Sequence, residues 1–103
     1  MSNVVELVLF KLKEGVSEQQ FLAAADELNT GFLYLQKGFI DRKLAKNGDA
    51  WVDIVLWETM EDAISALKAS DQNSAARPFL ECIDETSCSM QHLTIARTYN
   101  QEV

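Results

Sequence analysis

The chain has 103 residues, of which 48% are apolar and 24% charged, the composition of a folded globular protein with a single domain spanning residues 1–103. Its net charge of −7, with nine Lys and Arg scattered along it, argues against nucleic acid and anionic membrane as partners, both of which require basic stripes. No run approaches the ~18 apolar residues of a membrane span. No basic region followed by an apolar run opens the chain, so the expected setting is the cytoplasm.

The first expected strand is Val4 to Leu12. Val5, Leu7 and Leu9 form one apolar side, and Glu6, Val8, Phe10 and Leu12 form the other. Lys13, Glu14 and Gly15 turn the chain. Ser17 then opens a helix, with Gln20 three residues on as the second half of a capping box. Phe21, Ala25, Leu28, Phe32 and Leu35 fall on one stripe of that helix. Gly31 interrupts it and marks either a weak point or close packing; Gly38 is the expected left-handed stop.

Phe39 to Lys46 reads as a polar edge strand, and Asn47-Gly48 as a hairpin turn whose central residues tolerate positive φ. The next strand, WVDIVLWE from Trp51, is apolar on one side through Val52, Ile54 and Leu56. On the other side it carries Trp51, Asp53, Val55 and Trp57, so both faces should be covered. Thr59 caps a second helix with Glu61 and Asp62 in its first turn. A short third helix follows around Ala75 to Ile83, with Pro78 tolerable only near its start. The last strand is expected over Cys88 to Tyr99. Five residues separate Cys82 from Cys88, which matches neither a redox nor a zinc motif.

The order β-α-β-β-α-(α)-β is the split βαβ pattern of ferredoxin-like α+β folds, an antiparallel four-stranded sheet with the first and third strands central. The plainly aliphatic sides, Val5/Leu7/Leu9, Val52/Ile54/Leu56 and Leu93/Ile95, are expected to meet the helices. The other face, with Glu6, Phe10, Trp51, Asp53, Trp57 and His92, then exceeds what monomers leave exposed. A second copy packed sheet to sheet is its simplest cover, so the pattern predicts a homodimer.

The opening VVELVLFKLKEGVSEQQF resembles the start of the stress-responsive dimeric α/β-barrel proteins. The runs WVDIVLWETMEDA, RPFLECID and SMQHLTI resemble the antibiotic-biosynthesis-monooxygenase-like group of the same superfamily. The resemblance covers nearly the whole chain. It implies that two ferredoxin-like subunits close a barrel, with a ligand cavity in each. Among such relatives some oxidise aromatic polyphenols without metal or flavin, some degrade haem and others isomerise small metabolites. Many stress-responsive members carry His where this chain has Glu6.

His92 is the only histidine. The strand phases put it on one side with Glu6 and Asp53, on three adjacent strands. A histidine flanked by carboxylates is a candidate proton shuttle, and these three residues are the candidate catalytic set. The competing reading is a buried polar cluster satisfying itself. Trp57, Trp51 and Phe10 are candidates for stacking on an aromatic ligand, and Phe21, Phe32, Tyr34 and Phe79 for lining a pocket between helix and sheet; each also reads as core or interface. Arg42 and Arg97 could hold an anionic group, but solvated surface is the favoured reading of each. One His and two carboxylates fall short of a metal triad, and no glycine-rich nucleotide cradle is present, so no cofactor is expected. Two readings remain open: a cofactor-free monooxygenase-like protein acting on a small organic molecule, aromatic ones included, or a non-catalytic metabolite-binding or structural homodimeric module.

Overall fold

Capping and turn chemistry define most of the element boundaries in the computed structural model, which describes residues 2–101. Strand β1 spans Val4–Leu12, helix α1 Glu18–Gly31, β2 Phe39–Asn47 and β3 Ala50–Trp57. They are followed by α2 over Met60–Ser70, α3 over Arg77–Glu81 and β4 over Ile83–Thr94. The sheet is antiparallel in the order β2-β3-β1-β4, the ferredoxin-like arrangement that the element order predicts.

Ser17 caps α1, its Oγ accepting from the Gln20 backbone N–H at 3.0 Å, and Thr59 caps α2 through the Asp62 N–H at 3.0 Å. Helix α1 does not run to Gly38. It stops at Gly31, where an added Cβ would lie 2.7 Å from the Ala75 Cβ, and a 3-10 turn over Leu33–Leu35 carries the chain onward. Gly31 is thus the place where the segment before α3 comes within a methyl's width of the helix. Gly38, at φ +85°, then turns the chain into β2.

Asn47 pairs with Ala50, so Gly48 and Asp49 form a two-residue hairpin loop, one position later than the Asn-Gly pair suggests. Only Gly48 has positive φ, at +64°, which is the demand of a turn with glycine in its first central position. Strand β4 begins five residues before the expected Cys88 and ends at Thr94 rather than Tyr99. Its pairing with β1 jumps from Leu9–Ser89 to Lys11–Asp84, leaving a bulge over residues 85–88. That bulge is held locally: Ser87 Oγ accepts from the Lys11 N–H at 2.8 Å, and Asp84 Oδ1 accepts from the Thr86 hydroxyl at 2.7 Å. Residues 84–87 are polar because they satisfy the bulge rather than a sheet face, so no alternation marks this part of the strand.

The helices cover the opposite sheet face from the one expected. Trp51, Asp53, Val55 and Trp57 of β3 are buried under them with Val4, Val8 and Phe10 of β1. The aliphatic face, with Val5, Leu7, Val52, Ile54 and Leu56 half-buried and Leu9 exposed, has no covering element among the described residues. The physical reason lies in the space between helix and sheet, a layer about 10 Å deep that large rings fill better than Val or Leu. Phe21 fills it, standing 5.6 Å from Phe10, 4.8 Å from Trp51 and 5.2 Å from Phe79 between ring centroids. The alternation expected for β1 and β3 is present, with the two faces exchanged.

Candidate functional site

The register of the three inner strands builds the site. Glu6 of β1 stands directly opposite Val55 on β3 and His92 on β4, and Val8 stands opposite Asp53 and Met90. Residues of the helix-covered face therefore line up as His92, Glu6 and Val55 across the sheet, with Asp53 and Trp57 flanking Val55 along β3. Directly opposed β-carbons lie ~4.5–5.5 Å apart, so Glu6 and His92 can touch without distortion. They do: His92 Nε2 lies 2.9 Å from Glu6 Oε1, and each side chain is only 14% exposed.

Asp53 takes a different partner. Arg42 Nε donates to its Oδ1 at 2.9 Å and Arg42 Nη2 to its Oδ2 at 2.9 Å, a bidentate fork. Arg42 Nη1 donates to the Ala25 carbonyl oxygen of α1 at 3.1 Å, and its guanidinium lies 5.1 Å from the Phe79 ring centroid. The pair is 6% and 8% exposed, so Arg42 belongs to the interior and not to the solvated surface. Its role had a signal in the sequence: a carboxylate on a buried strand face requires a partner, and the hairpin places Arg42 on the neighbouring strand within reach of Asp53. Arg97, by contrast, lies at the surface, where its Nη1 donates to the Tyr99 hydroxyl at 3.5 Å.

Between this face and the helices is a cavity of about 130 Å³. Glu6, Asp53, Val55 and Trp57 line it from the sheet, and Phe32 and Phe79 from the helical layer. Leu80, Cys88 and Met90 also line it and are exposed, so they mark the open side, between α3 and β4. The β4 bulge brings Cys88 to that rim; both cysteines are free. Burial pushes the Cys88 thiol up, aided by the charge of Glu85, so the rim thiol is held in its unreactive form.

The polar groups facing the cavity are few. Ser70 is satisfied, donating to the Leu67 carbonyl oxygen at 2.7 Å. Glu6 uses Oε1 on His92, and among the described residues its Oε2 has no hydrogen-bond partner. Burial raises the Glu6 carboxyl above its ordinary value of 4.5, with the Asp53 charge adding to the rise; the hydrogen bond and charge of His92 and the charge of Arg42 pull the other way. Trp57 is 1% exposed, and its indole Nε1 is buried without a hydrogen-bond partner. An unpaired buried N–H costs about 1–3 kcal/mol.

The expected site residues thus divide. Glu6, Asp53, Trp57 and Phe79 line the cavity. His92 stands behind Glu6 and does not line it. Trp51, Phe10 and Phe21 pack with Phe79 as core beside the cavity instead of in it. Tyr34 is 62% exposed and packs on Phe39 at 5.8 Å. Among the described residues no group of three or more His, Cys, Asp or Glu is placed to hold a metal ion, and no helix is long and apolar enough to cross a membrane.

Solved structures share this architecture over almost their full length. The chain is similar to SnoaB, a cofactor-independent oxygenase from Streptomyces nogalater solved as a point variant, with a TM-score of 0.77, 15% identity, and coverage of 98% of this chain and 100% of that one. It has the ferredoxin-like fold. A monooxygenase from the gene ActVA-Orf6 of Streptomyces coelicolor, in complex with the ligand Nanaomycin D, superimposes with a TM-score of 0.68 at 12% identity, covering 98% of this chain and 94% of that one. A dimeric ferredoxin-like protein from an uncultured marine organism gives a TM-score of 0.67 at 10% identity, with coverage of 99% and 95%. No family model and no curated protein sequence matches the chain.

Proposed function

We propose that this chain is a cofactor-free monooxygenase-like enzyme that oxidises a small, electron-rich aromatic molecule bound between the sheet and its helices. One observation carries the reading: a carboxylate backed by a histidine lines an apolar cavity. The fold shared with a cofactor-independent oxygenase supports it.

Glu6 is the group that meets substrate. Its Oε2 takes a proton from a ring hydroxyl or an activated ring C–H, and His92, hydrogen-bonded to Oε1, holds the carboxyl in place and disperses the charge. The raised carboxyl makes Glu6 a stronger base than an exposed glutamate. The substrate anion then gives one electron to dioxygen, and the two radicals combine to form a ring hydroperoxide. Loss of water leaves a quinone. The balance is phenol plus dioxygen to quinone plus water, four hydrogens remaining on the ring of the simplest case. Asp53 is neutralised by Arg42, so it shapes the field of the cavity and leaves proton transfer to Glu6.

The open aliphatic face fits a second copy of the chain. Val5 stands opposite Leu56, Leu7 opposite Ile54 and Leu9 opposite Val52, a contiguous apolar block across the two central strands. A two-fold axis over it covers both copies with one surface, and a neighbour of this fold is dimeric.

The test is dioxygen uptake by the purified protein with electron-rich phenols, against the rate of spontaneous autoxidation. Glu6→Gln should lower the protein-dependent rate by ~10²–10⁴-fold, the worth of a positioned base. Uptake no faster than autoxidation across the panel, with ligand still bound, favours the non-catalytic metabolite-binding module instead.

A further inference from the structure

The two charge pairs of the site point the same way. Glu6 and Asp53 line the cavity, whereas their partners His92 and Arg42 do not. His92 holds Glu6 from behind through Oε1 at 2.9 Å, and the Arg42 fork holds Asp53 at 2.9 Å on each oxygen. A carboxylate whose counter-charge lies behind it presents its negative end to whatever stands in front. Glu6 opposes Val55, and Asp53 is two positions along β3 on the same face, so the two carboxylates are diagonal neighbours whose fields add. Low-dielectric walls concentrate such a field inside a cleft.

The rest of the wall suits the same sign of charge. Phe32, Trp57 and Phe79 line the cavity, and the face of an aromatic ring attracts cations. Arg42 already uses this attraction, its guanidinium lying 5.1 Å from the Phe79 ring centroid. Among the described residues no lysine or arginine lines the cavity. The one side-chain polar atom that is both shielded from solvent and unpartnered is Trp57 Nε1. Glu6 Oε2 also lacks a partner, so it is not shielded and a small ligand can reach it. An ammonium group entering an apolar space without a counter-charge is rejected. Here Glu6 supplies the counter-charge, and the open side between α3 and β4 lets water keep part of the hydration shell.

We infer that the cavity is a binding site for small organic ammonium ions, a protonated amine on a compact apolar body, with an N–H donating to Glu6 Oε2. The same polarity excludes carboxylates of equal size. At about 130 Å³ the space is close to the ~150 Å³ of apolar cavities that take up one benzene ring, which sets the scale of the apolar body. This site goes beyond the enzyme reading and does not rest on it. An amine seated there occupies the oxygen which that reading assigns to substrate, so it competes with any hydroxyl ligand.

The experiment is calorimetric titration of the full chain with benzylamine, benzyl alcohol and benzoate, at neutral pH and one ionic strength. The probes share a ring and differ in charge, and an alkyl amine stays protonated at neutral pH. Benzylamine should bind tightest and benzyl alcohol about tenfold or more weaker, the attraction to Glu6 exceeding the cost of taking the ammonium out of water. Benzoate should show no saturable binding. Glu6→Gln should bring benzylamine down to the level of benzyl alcohol. That variant separates the cavity from the acidic surface, because a cation held by exposed carboxylates does not depend on a side chain that is only 14% exposed. Benzyl alcohol or benzoate binding as tightly as benzylamine, no saturable binding of benzylamine, or an amine affinity unchanged in Glu6→Gln overturns the inference. The order of the three probes on the wild type decides the matter even where the variant fails to fold. Dioxygen uptake plays no part in the readout, so loss of the enzyme reading leaves the ammonium site standing, and loss of the site leaves the enzyme reading to its own test.

Discussion

Asp53→Ala is the sharpest perturbation of the interior. The substitution removes both oxygens that accept from Arg42 Nε and Nη2, and leaves the guanidinium with the Ala25 carbonyl and the face of Phe79. Both side chains are more than nine-tenths shielded from solvent, so the discount applied to surface ion pairs does not arise. Removing one member of such a pair costs about 3–5 kcal/mol, because the survivor is a buried charge without a counter-charge. Asp53 lines the cavity, and water entering there hydrates Arg42 in part, which places the expected loss near the lower end. With an m-value of about 1.5 kcal/mol per molar in urea, the unfolding midpoint falls by ~2–3 M, a large share of the ~5–15 kcal/mol that holds most domains together. Arg42→Met is equally costly alone. The double replacement Arg42→Met with Asp53→Leu recovers most of the loss, since it leaves no orphaned charge. Urea unfolding followed by tryptophan fluorescence, at one fixed protein concentration, measures all four proteins. A loss below about 1 kcal/mol for Asp53→Ala, or a double variant as unstable as the worse single one, refutes the reasoning.

Three further outcomes follow from other parts of the molecule. Ile54→Lys puts a charge in the middle of the open aliphatic face, and sedimentation at micromolar concentration should show monomer where the wild type shows dimer, with helix content unchanged. Gly38→Ala forces a side chain into a φ of +85° and sets its Cβ within 2.2 Å of the Asp62 carboxylate; a loss of about 1–3 kcal/mol in thermal or urea unfolding is expected, and a neutral effect contradicts the packing described. For Glu6, the folded-state carboxyl titrates above its unfolded value of 4.5, so the folded protein holds the proton to higher pH than the unfolded chain does. Stability from this group is therefore fully present below that value and declines as pH rises through the raised one. The difference in unfolding midpoint between wild type and Glu6→Gln, followed from about pH 4 to about pH 7, should drift against the wild type; a difference independent of pH contradicts the burial assigned to Glu6.

Much of the architecture was legible because local signals agreed with the global fold. Ser17 and Thr59 announced helix starts, Gly48 the hairpin, and the period-two alternation of β1 and β3 the central strands. The alternation says which residues share a face but not which face the helices choose. Both sides of β3 are apolar, and the decision rests on volume: the rings of Phe10, Trp51 and Phe21 fill a deep layer, whereas flush aliphatics suit a flat one. The approach of Glu6 to His92 was foreseeable from phase alone, since both sit on the same face of adjacent strands. The division of labour between the carboxylates was not. It depends on the β2–β3 register, which brings Arg42 to Asp53 and leaves Glu6 free to face the cavity. The β4 bulge was invisible because Asp84, Thr86 and Ser87 bond to their own loop and to Lys11, contacts that no periodicity encodes.

The most direct test of the enzyme reading is the fate of oxygen in one turnover. Protein and an electron-rich phenol are mixed under heavy-isotope dioxygen, and the product is weighed by mass spectrometry for wild type and Glu6→Gln. The account predicts a quinone carrying one oxygen atom from dioxygen, formed with wild type and nearly absent with Glu6→Gln. A product whose oxygens all come from the substrate or from water, or one formed equally well without the Glu6 carboxylate, contradicts it.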